Sequence, residues 1–133
     1  MESKNLAYRI IDKDKCAIIG RGACEDKNIV IPDEIDGKIV VAIDTNAFIK
    51  DEDLISIKIA NTVVRIDTCA FYDCKNLKYL LIPEEVFMIG SHAFAMCSKL
   101  EHIVLGRKGQ LAWFDQDVFY GSEKIKLIEI SPH

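Results

Sequence analysis

The chain has no apolar run approaching the ~20 residues that a membrane-spanning helix requires. Its first residues, Met1-Glu2-Ser3-Lys4-Asn5, contain no apolar segment long enough for a secretory leader. A charged arm is also missing. The 133 residues carry 17 basic and 21 acidic side chains, a formal charge of -4. That balance is shared, with ten basic and twelve acidic residues in 1–66 and seven and nine in 67–133. Nothing in it favours nucleic acid or an anionic membrane surface, and no membrane insertion is expected. Paired C-x-x-C motifs are absent, so no zinc ribbon is indicated. The five cysteines are an odd number, unlike the even set of a secreted disulfide framework. Free Cys behaves as a small buried hydrophobe, and Cys16, Cys24, Cys69, Cys74 and Cys97 read mostly as core thiols.

What the sequence does have is a period. Ala47-Phe48 recurs as Ala70-Phe71, as Ala93-Phe94 and, altered, as Val118-Phe119, at intervals of 23, 23 and 25 residues. Leu54, Leu77, Leu100 and Ile125 keep the same step. So do Ile57, Leu80, Ile103 and Ile128, and also Ile59, Ile82, Leu105 and Ile130. A fixed period in this range marks a solenoid, in which each repeat buries its apolar face only by stacking on its neighbours. The length fits one domain spanning 1–133.

Within that domain, residues 1–27 read as a cap, 28–53 as an irregular first rung and 54–130 as regular repeats. Ala7–Ile11 and Cys16–Ile19 are short runs of strand-forming residues around a polar connection, the pattern of a β-hairpin. Terminal repeats of solenoids need such a shield. Each regular repeat then predicts a short helical turn on the convex side, followed by a strand and a stop. Asp44, Asp67, Gly90 and Asp115 occupy equivalent places as N-caps of those turns. The strands alternate with period two and centre on Ile57–Ile59, Leu80–Ile82, Ile103–Leu105 and Ile128–Ile130. Parallel strands lie ~4.8 Å apart, so equivalent side chains stack directly. Phe48, Phe71, Phe94 and Phe119 are therefore expected to form an aromatic spine.

The segment from Ile66 to Leu77, with Ala70-Phe71 and Cys74, followed by Leu80-Leu81-Ile82-Pro83, Val86 and Ile89-Gly90, resembles the BspA-like class of leucine-rich repeats. Ala93-Phe94, Cys97, Leu100, Ile103 and Leu105 continue the match, which covers roughly residues 6 to 130. Val118 and Ser122 stand where the pattern has Ala and Cys, and two extra residues sit within 106–110. The resemblance implies a right-handed α/β coil with short parallel strands on a concave face and a general binding role. It carries over no catalytic residue, metal or cofactor. It also implies a surface or secreted protein, whereas the opening residues favour the cytoplasm.

Aligning the rungs gives an outward column of Val30, Lys58, Leu81, Val104 and Glu129, flanked by Ser56, Tyr79, His102 and Leu127. A sheet face that meets only water carries polar side chains. The apolar middle of this face, rimmed by Lys58 and Glu129, suggests a protein partner bound through Lys58, Tyr79, Leu81, His102, Val104, Leu127 and Glu129. The competing reading is that these side chains only support one another across rungs, in a structural piece of a longer repeat protein.

A second column holds Asn46, Cys69, His92 and Asp117. Cys, His and Asp in a row are the groups a thiol nucleophile requires, but a convex turn provides no evident cleft or oxyanion site. The expectation is that the protein is not an enzyme. Cys74 and Cys97 stack within reach of a disulfide, though the family pattern favours free thiols. Trp113 sits beside the extra residues, as a contact point or as cover for the end of the core. After Ile130 little remains to cap the last rung. A homodimer through that edge, cover from Trp113 and its loop, or continuation in a longer chain would relieve this. With Pro132 moderating open-ended growth, a closed dimer or a partly protected monomer is expected.

Overall fold

The computed structural model describes residues 1–108, 110 and 114–131. Trp113 and Pro132, and with them the cover and edge-blocking roles expected of them, lie outside the described residues. Among the described residues, eleven strands form two sheets. β1 (Ala7–Ile10) and β2 (Lys15–Gly20) make the expected hairpin, with Ile10 opposite Cys16. β3 is Asn28–Val30, β4 Glu34–Ile35 and β5 Lys38–Ile43. Then come β6 (Ser56–Lys58), β7 (Arg65–Ile66), β8 (Tyr79–Ile82), β9 (Met88–Ile89), β10 (His102–Leu105) and β11 (Leu127–Ile130).

The repeat builds a three-sided coil. On the first side, β3, β6, β8, β10 and β11 stack in parallel. Ile29, Ile57, Leu80, Ile103 and Ile128 fall in one register column, as the period requires. Leu80, Ile82, Ile103 and Leu105 are all buried. On the second side, β5, β7 and β9 continue in parallel from β2, stacking Ile43, Ile66 and Ile89. The third side is the Ala-Phe segment. Its rungs are joined by amides that reach forward: Phe48 N donates to Ala70 O at 2.7 Å, Phe71 N to Ala93 O at 2.7 Å and Phe94 N to Val118 O at 2.9 Å.

These Ala-Phe segments are turns, not the short helical turns the sequence suggested. Asn46, Cys69 and His92 have φ of 62°, 58° and 59°, and four residues on Lys50, Asp73 and Met96 have φ of 58°, 57° and 60°. Left-handed residues at that spacing prevent an α-helix from closing its bonds within a rung. Alternate amides, those of Asn46, Phe48 and Lys50, bond to the next rung instead, while Ala47, Ile49 and Asp51 N close tight turns on Asp44, Asn46 and Phe48 O within the rung. The aromatic spine does form. Phe48 and Phe71 stack with centroids 5.1 Å apart, Phe71 and Phe94 4.9 Å, Phe94 and Phe119 5.8 Å.

The N-terminal end is sealed on both sheets. β1 covers β2 antiparallel, and Ser3 closes the edge of β3. Ser3 N donates to Val30 O at 2.8 Å, and Val30 N donates to Ser3 Oγ at 2.9 Å.

Candidate functional site

Parallel pairing places Val30, Lys58, Leu81, Val104 and Glu129 in consecutive register on the outer face of the five-stranded sheet. Ser56, Tyr79, His102 and Leu127 form the flanking column. The side chains differ in what they offer. Tyr79 is 37% exposed, while Leu81 and His102 are half-buried. Lys58 and Glu129 are exposed. Val104 is buried, 8% exposed, so it forms the floor of the face. The side chain of Leu127 lies outside the described set. The Tyr79 ring meets the edge of His102 at 5.0 Å and 88°, and His102 Nε2 lies 2.5 Å from Glu129 Oε1. An aromatic pair tied to a carboxylate thus spans three rungs. Where the strands leave the sheet, a cleft of about 360 Å³ runs past Lys58, Leu81, Pro83, Glu84, Glu85 and Ser131.

The second candidate column assembles differently from its sequence order. His92 Nδ1 lies 2.8 Å from Ser91 Oγ, and Ser91 Oγ donates to Asp117 Oδ2 at 2.7 Å. Ser91 Oγ thus stands between the imidazole and the carboxylate, and His92 Nδ1 itself lies 3.5 Å from Asp117 Oδ2. Cys69 Sγ has no hydrogen-bond partner among the described residues. Tyr72 and Tyr120 hold the His92 ring edge-on at 6.5 and 6.0 Å. The cluster is a polar brace between turns. Among the described residues no group of three or more His, Cys, Asp or Glu side chains is placed to hold a metal ion.

The stacked coil, with one apolar column per rung, has a sequence counterpart. Residues 41–133 match the BspA type leucine rich repeat region, in six copies. The chain belongs to this family. Two solved neighbours in shape are bacterial leucine-rich-repeat proteins. A leucine rich cell surface protein from Faecalibacterium prausnitzii shares 20% identity at a TM-score of 0.71, over 98% of this chain and 42% of that one. A leucine-rich repeat protein from Eubacterium ventriosum shares 21% identity at a TM-score of 0.67, over 88% of this chain and 36% of that one. At such identity the likeness concerns the fold. This chain spans less than half the length of either neighbour. Comparison with curated proteins gave no match. The family is one of repeat proteins.

The cysteine column of this BspA-type coil has a structural task. Cys74 Sγ donates to Phe48 O at 3.1 Å, and Cys97 Sγ donates to Phe71 O at 3.3 Å. Ser122 takes over in the last rung, its Oγ donating to Phe94 O at 2.7 Å. All three are buried small donors to the carbonyl of the preceding spine residue. Both thiols are free, not a disulfide. Burial pushes the Cys97 thiol up to about 12, and Cys74 up as well. Thiols held protonated in this way are inert.

Sequence reasoning missed two features, one on the surface and one in the interior. Val64 N donates to Val41 O and Phe87 N to Val64 O, so Val41, Val64 and Phe87 line up on the six-stranded sheet, with Phe87 58% exposed. Strands of two residues give no period-two signal, so nothing in the sequence marked this column. Gln110 is fully buried, and its Nε2 donates to Pro83 O and Val86 O, each at 2.8 Å. The two extra residues within 106–110 were visible, but not that they carry an amide inward.

Proposed function

We propose that this leucine-rich-repeat coil is a protein-recognition or adhesion module, and that its partner lies on the outer face of the five-stranded sheet. Residues 1–27 serve as its cap, 28–53 as its first rung and 54–130 as the repeats that present the face. Tyr79, Leu81, His102 and Leu127 make the contact, Lys58 and Glu129 rim it, and Val104 underlies it. The observation that carries this reading is the half-exposed Tyr79–Leu81–His102 patch at the middle of a sheet face, where water alone would favour polar side chains. Aromatic side chains at the centre of a patch supply most of the binding energy at protein interfaces.

The test is capture by chemical crosslinking from the native cell extract, comparing Leu81→Asp with Ile39→Asp. Ile39 is equally a surface position, on the other sheet, 40% exposed. Loss of a specific crosslinked band with Leu81→Asp alone supports the reading, and equal capture by both variants sinks it. A second reading is favoured by the length comparison, since the chain spans 42% and 36% of its neighbours. Under it, these rungs are a structural stretch of a longer surface protein, with no site of their own. A second copy of the chain is proposed as the occupant of the β11 edge.

A further inference from the structure

The connections that lead into β6, β8, β10 and β11 change sign along the coil. The first carries Glu52 and Asp53. The next three carry Lys75, Lys78, Lys99, Lys124 and Lys126 against Glu101 and Glu123 only. This concentration of positive charge occurs in a chain whose formal charge is -4. Backbone bonds fix its geometry: Glu101 N donates to Lys78 O at 3.1 Å, and Lys126 N to Glu101 O at 2.8 Å. Lys78, Glu101 and Lys126 thus stand on successive rungs, ~4.8 Å apart. Lys78, Lys99, Lys124 and Lys126 surround a shallow depression of about 340 Å³ that also takes in Ser98 and Glu101.

The available counter-charges do not use up this ridge. Glu101 pairs with Lys126 at 3.4 Å and Lys75 with Glu52 at 3.2 Å, while Glu52 and Asp53 line a neighbouring depression with Lys78 and Lys99 and form no ion pair with either. Lys99 rests on the neutral Asn76 Oδ1 at 2.9 Å. Lys78 and Lys124 form no ion pair among the described residues. Tyr79 follows Lys78 directly, so the ridge runs without a break into the apolar face. We infer that the ridge of Lys78, Lys99, Lys124 and Lys126 receives the carboxylates of a protein segment whose apolar side chain sits on Tyr79 and Leu81.

This inference rests on the recognition reading and adds the chemistry of the partner. Lys78, immediately before β8, and Leu81 within it are three residues apart, which is ~10 Å in extended chain. A partner segment lying along β8 therefore carries its acidic pair about three residues from its apolar anchor. The apolar neighbour favours a peptide over a purely anionic polysaccharide, which has nothing to place on Leu81. Lysine ammonium groups act as point charges without the bidentate fork of arginine, in keeping with steering and register more than with tight pairing.

The experiment uses the full chain and a short fluorescent peptide with two glutamates and, three residues away, a leucine, in a Gly-Ser background. Binding is followed by anisotropy and is expected to weaken at least about tenfold between about 20 and 200 mM salt, as screening of exposed charges requires. Replacing the glutamates by glutamines, or introducing Lys78→Glu with Lys124→Glu, is expected to cost about tenfold, in keeping with the loss of close charge pairs. Asp33→Lys with Glu34→Lys, exposed residues at β4 of the six-stranded sheet, is expected to leave affinity unreduced. No binding of the glutamate peptide, equal binding of the glutamine peptide, or indifference to the lysine reversals overturns the inference. So does polygalacturonate that competes equally well with wild type and Leu81→Asp. Crosslinked capture that survives the lysine reversals but not Leu81→Asp removes the ridge and leaves the face. Capture that survives both removes both.

Discussion

Phe71 lies between two nearly parallel rings, Phe48 at 5.1 Å and Phe94 at 4.9 Å, and is fully buried. Truncating it leaves a void that neither neighbour can fill without breaking its own stack. Phe71→Ala is therefore expected to cost about 3–5 kcal/mol, as buried Phe-to-Ala changes do. Phe119 is half-buried and has a spine ring on one side only, at 5.8 Å. Its truncation costs less, and equal losses in urea unfolding would contradict a stacked spine. The thiols beside the spine make a different prediction. Burial raises the Cys97 thiol to about 12 in the folded chain. An unfolded thiol ionises near ~8.5, so the unfolded state loses its proton first as pH rises. The stability from Cys97 is complete below that pH and falls by about 1.4 kcal/mol per unit above it, until the folded thiol ionises too. Cys97→Ser keeps a donor of the kind Ser122 already supplies and removes the titration. Urea midpoints compared between about pH 8 and pH 10 are expected to fall less for the variant than for wild type. Identical slopes would mean that the thiol is not held protonated.

The strands of the five-stranded sheet were legible because four residues in a row alternate and the same four recur at a constant step. Tyr79–Ile82 and His102–Leu105 are the clearest pair. The second parallel ladder was not legible as such. Arg65–Ile66 and Met88–Ile89 are two residues each, too short to alternate. The expected helices failed for a conformational reason, since Asn46, Cys69 and His92 adopt left-handed φ that side-chain chemistry at an N-cap does not reveal. For the candidate site, register could be read but exposure could not. Val104 was placed in the right column, yet it is buried, while Phe87 in an unsuspected column is 58% exposed. Close approach between elements was also hidden. A Cβ on Gly106 would stand 2.1 Å from Glu84 N and 2.6 Å from Glu84 Cα, and backbone cannot yield as a flexible side chain does. Gly106→Ala is thus expected to lose about 1–3 kcal/mol through overpacking. The same change at Gly37, where a Cβ would meet nothing within 4 Å, strains only a left-handed φ of 80°. Thermal melts of the two variants separate the causes. A smaller loss at Gly106 than at Gly37 would show that the turn after β10 can move away from Glu84.

Along the whole coil the two ends are unequal. At the N-terminal end Ser3 satisfies both polar groups of Val30, and β1 covers β2. At the other end Ile128 and Ile130 are 48% and 47% exposed, although every earlier member of their columns is at most 3% exposed. Among the described residues β11 pairs with β10 alone, so its second backbone edge has no partner strand there. A following rung of a longer chain would cover that edge. For this chain by itself the proposed cover is a second copy. Head-to-tail stacking is hindered, because Ser3 occupies both polar groups of Val30 on β3, the strand that would receive β11. The remaining geometry is isologous: β11 meets β11 of the partner copy about a two-fold axis, which makes the pair antiparallel and closes the assembly at two chains. Open fibres are then not expected, even though an unprotected edge usually invites them. Light scattering across a concentration series is expected to show a monomer–dimer equilibrium without larger species. Ile128→Lys, which puts a charge into the joined core, is expected to shift the chain to monomer. Glu129→Lys, on the outer face, is the control and is expected to leave the dimer in place. A strict monomer at the highest concentration, or growth beyond the dimer, would each remove the two-fold arrangement, the first by showing that the edge needs no cover and the second by showing that the sealed end does accept a strand.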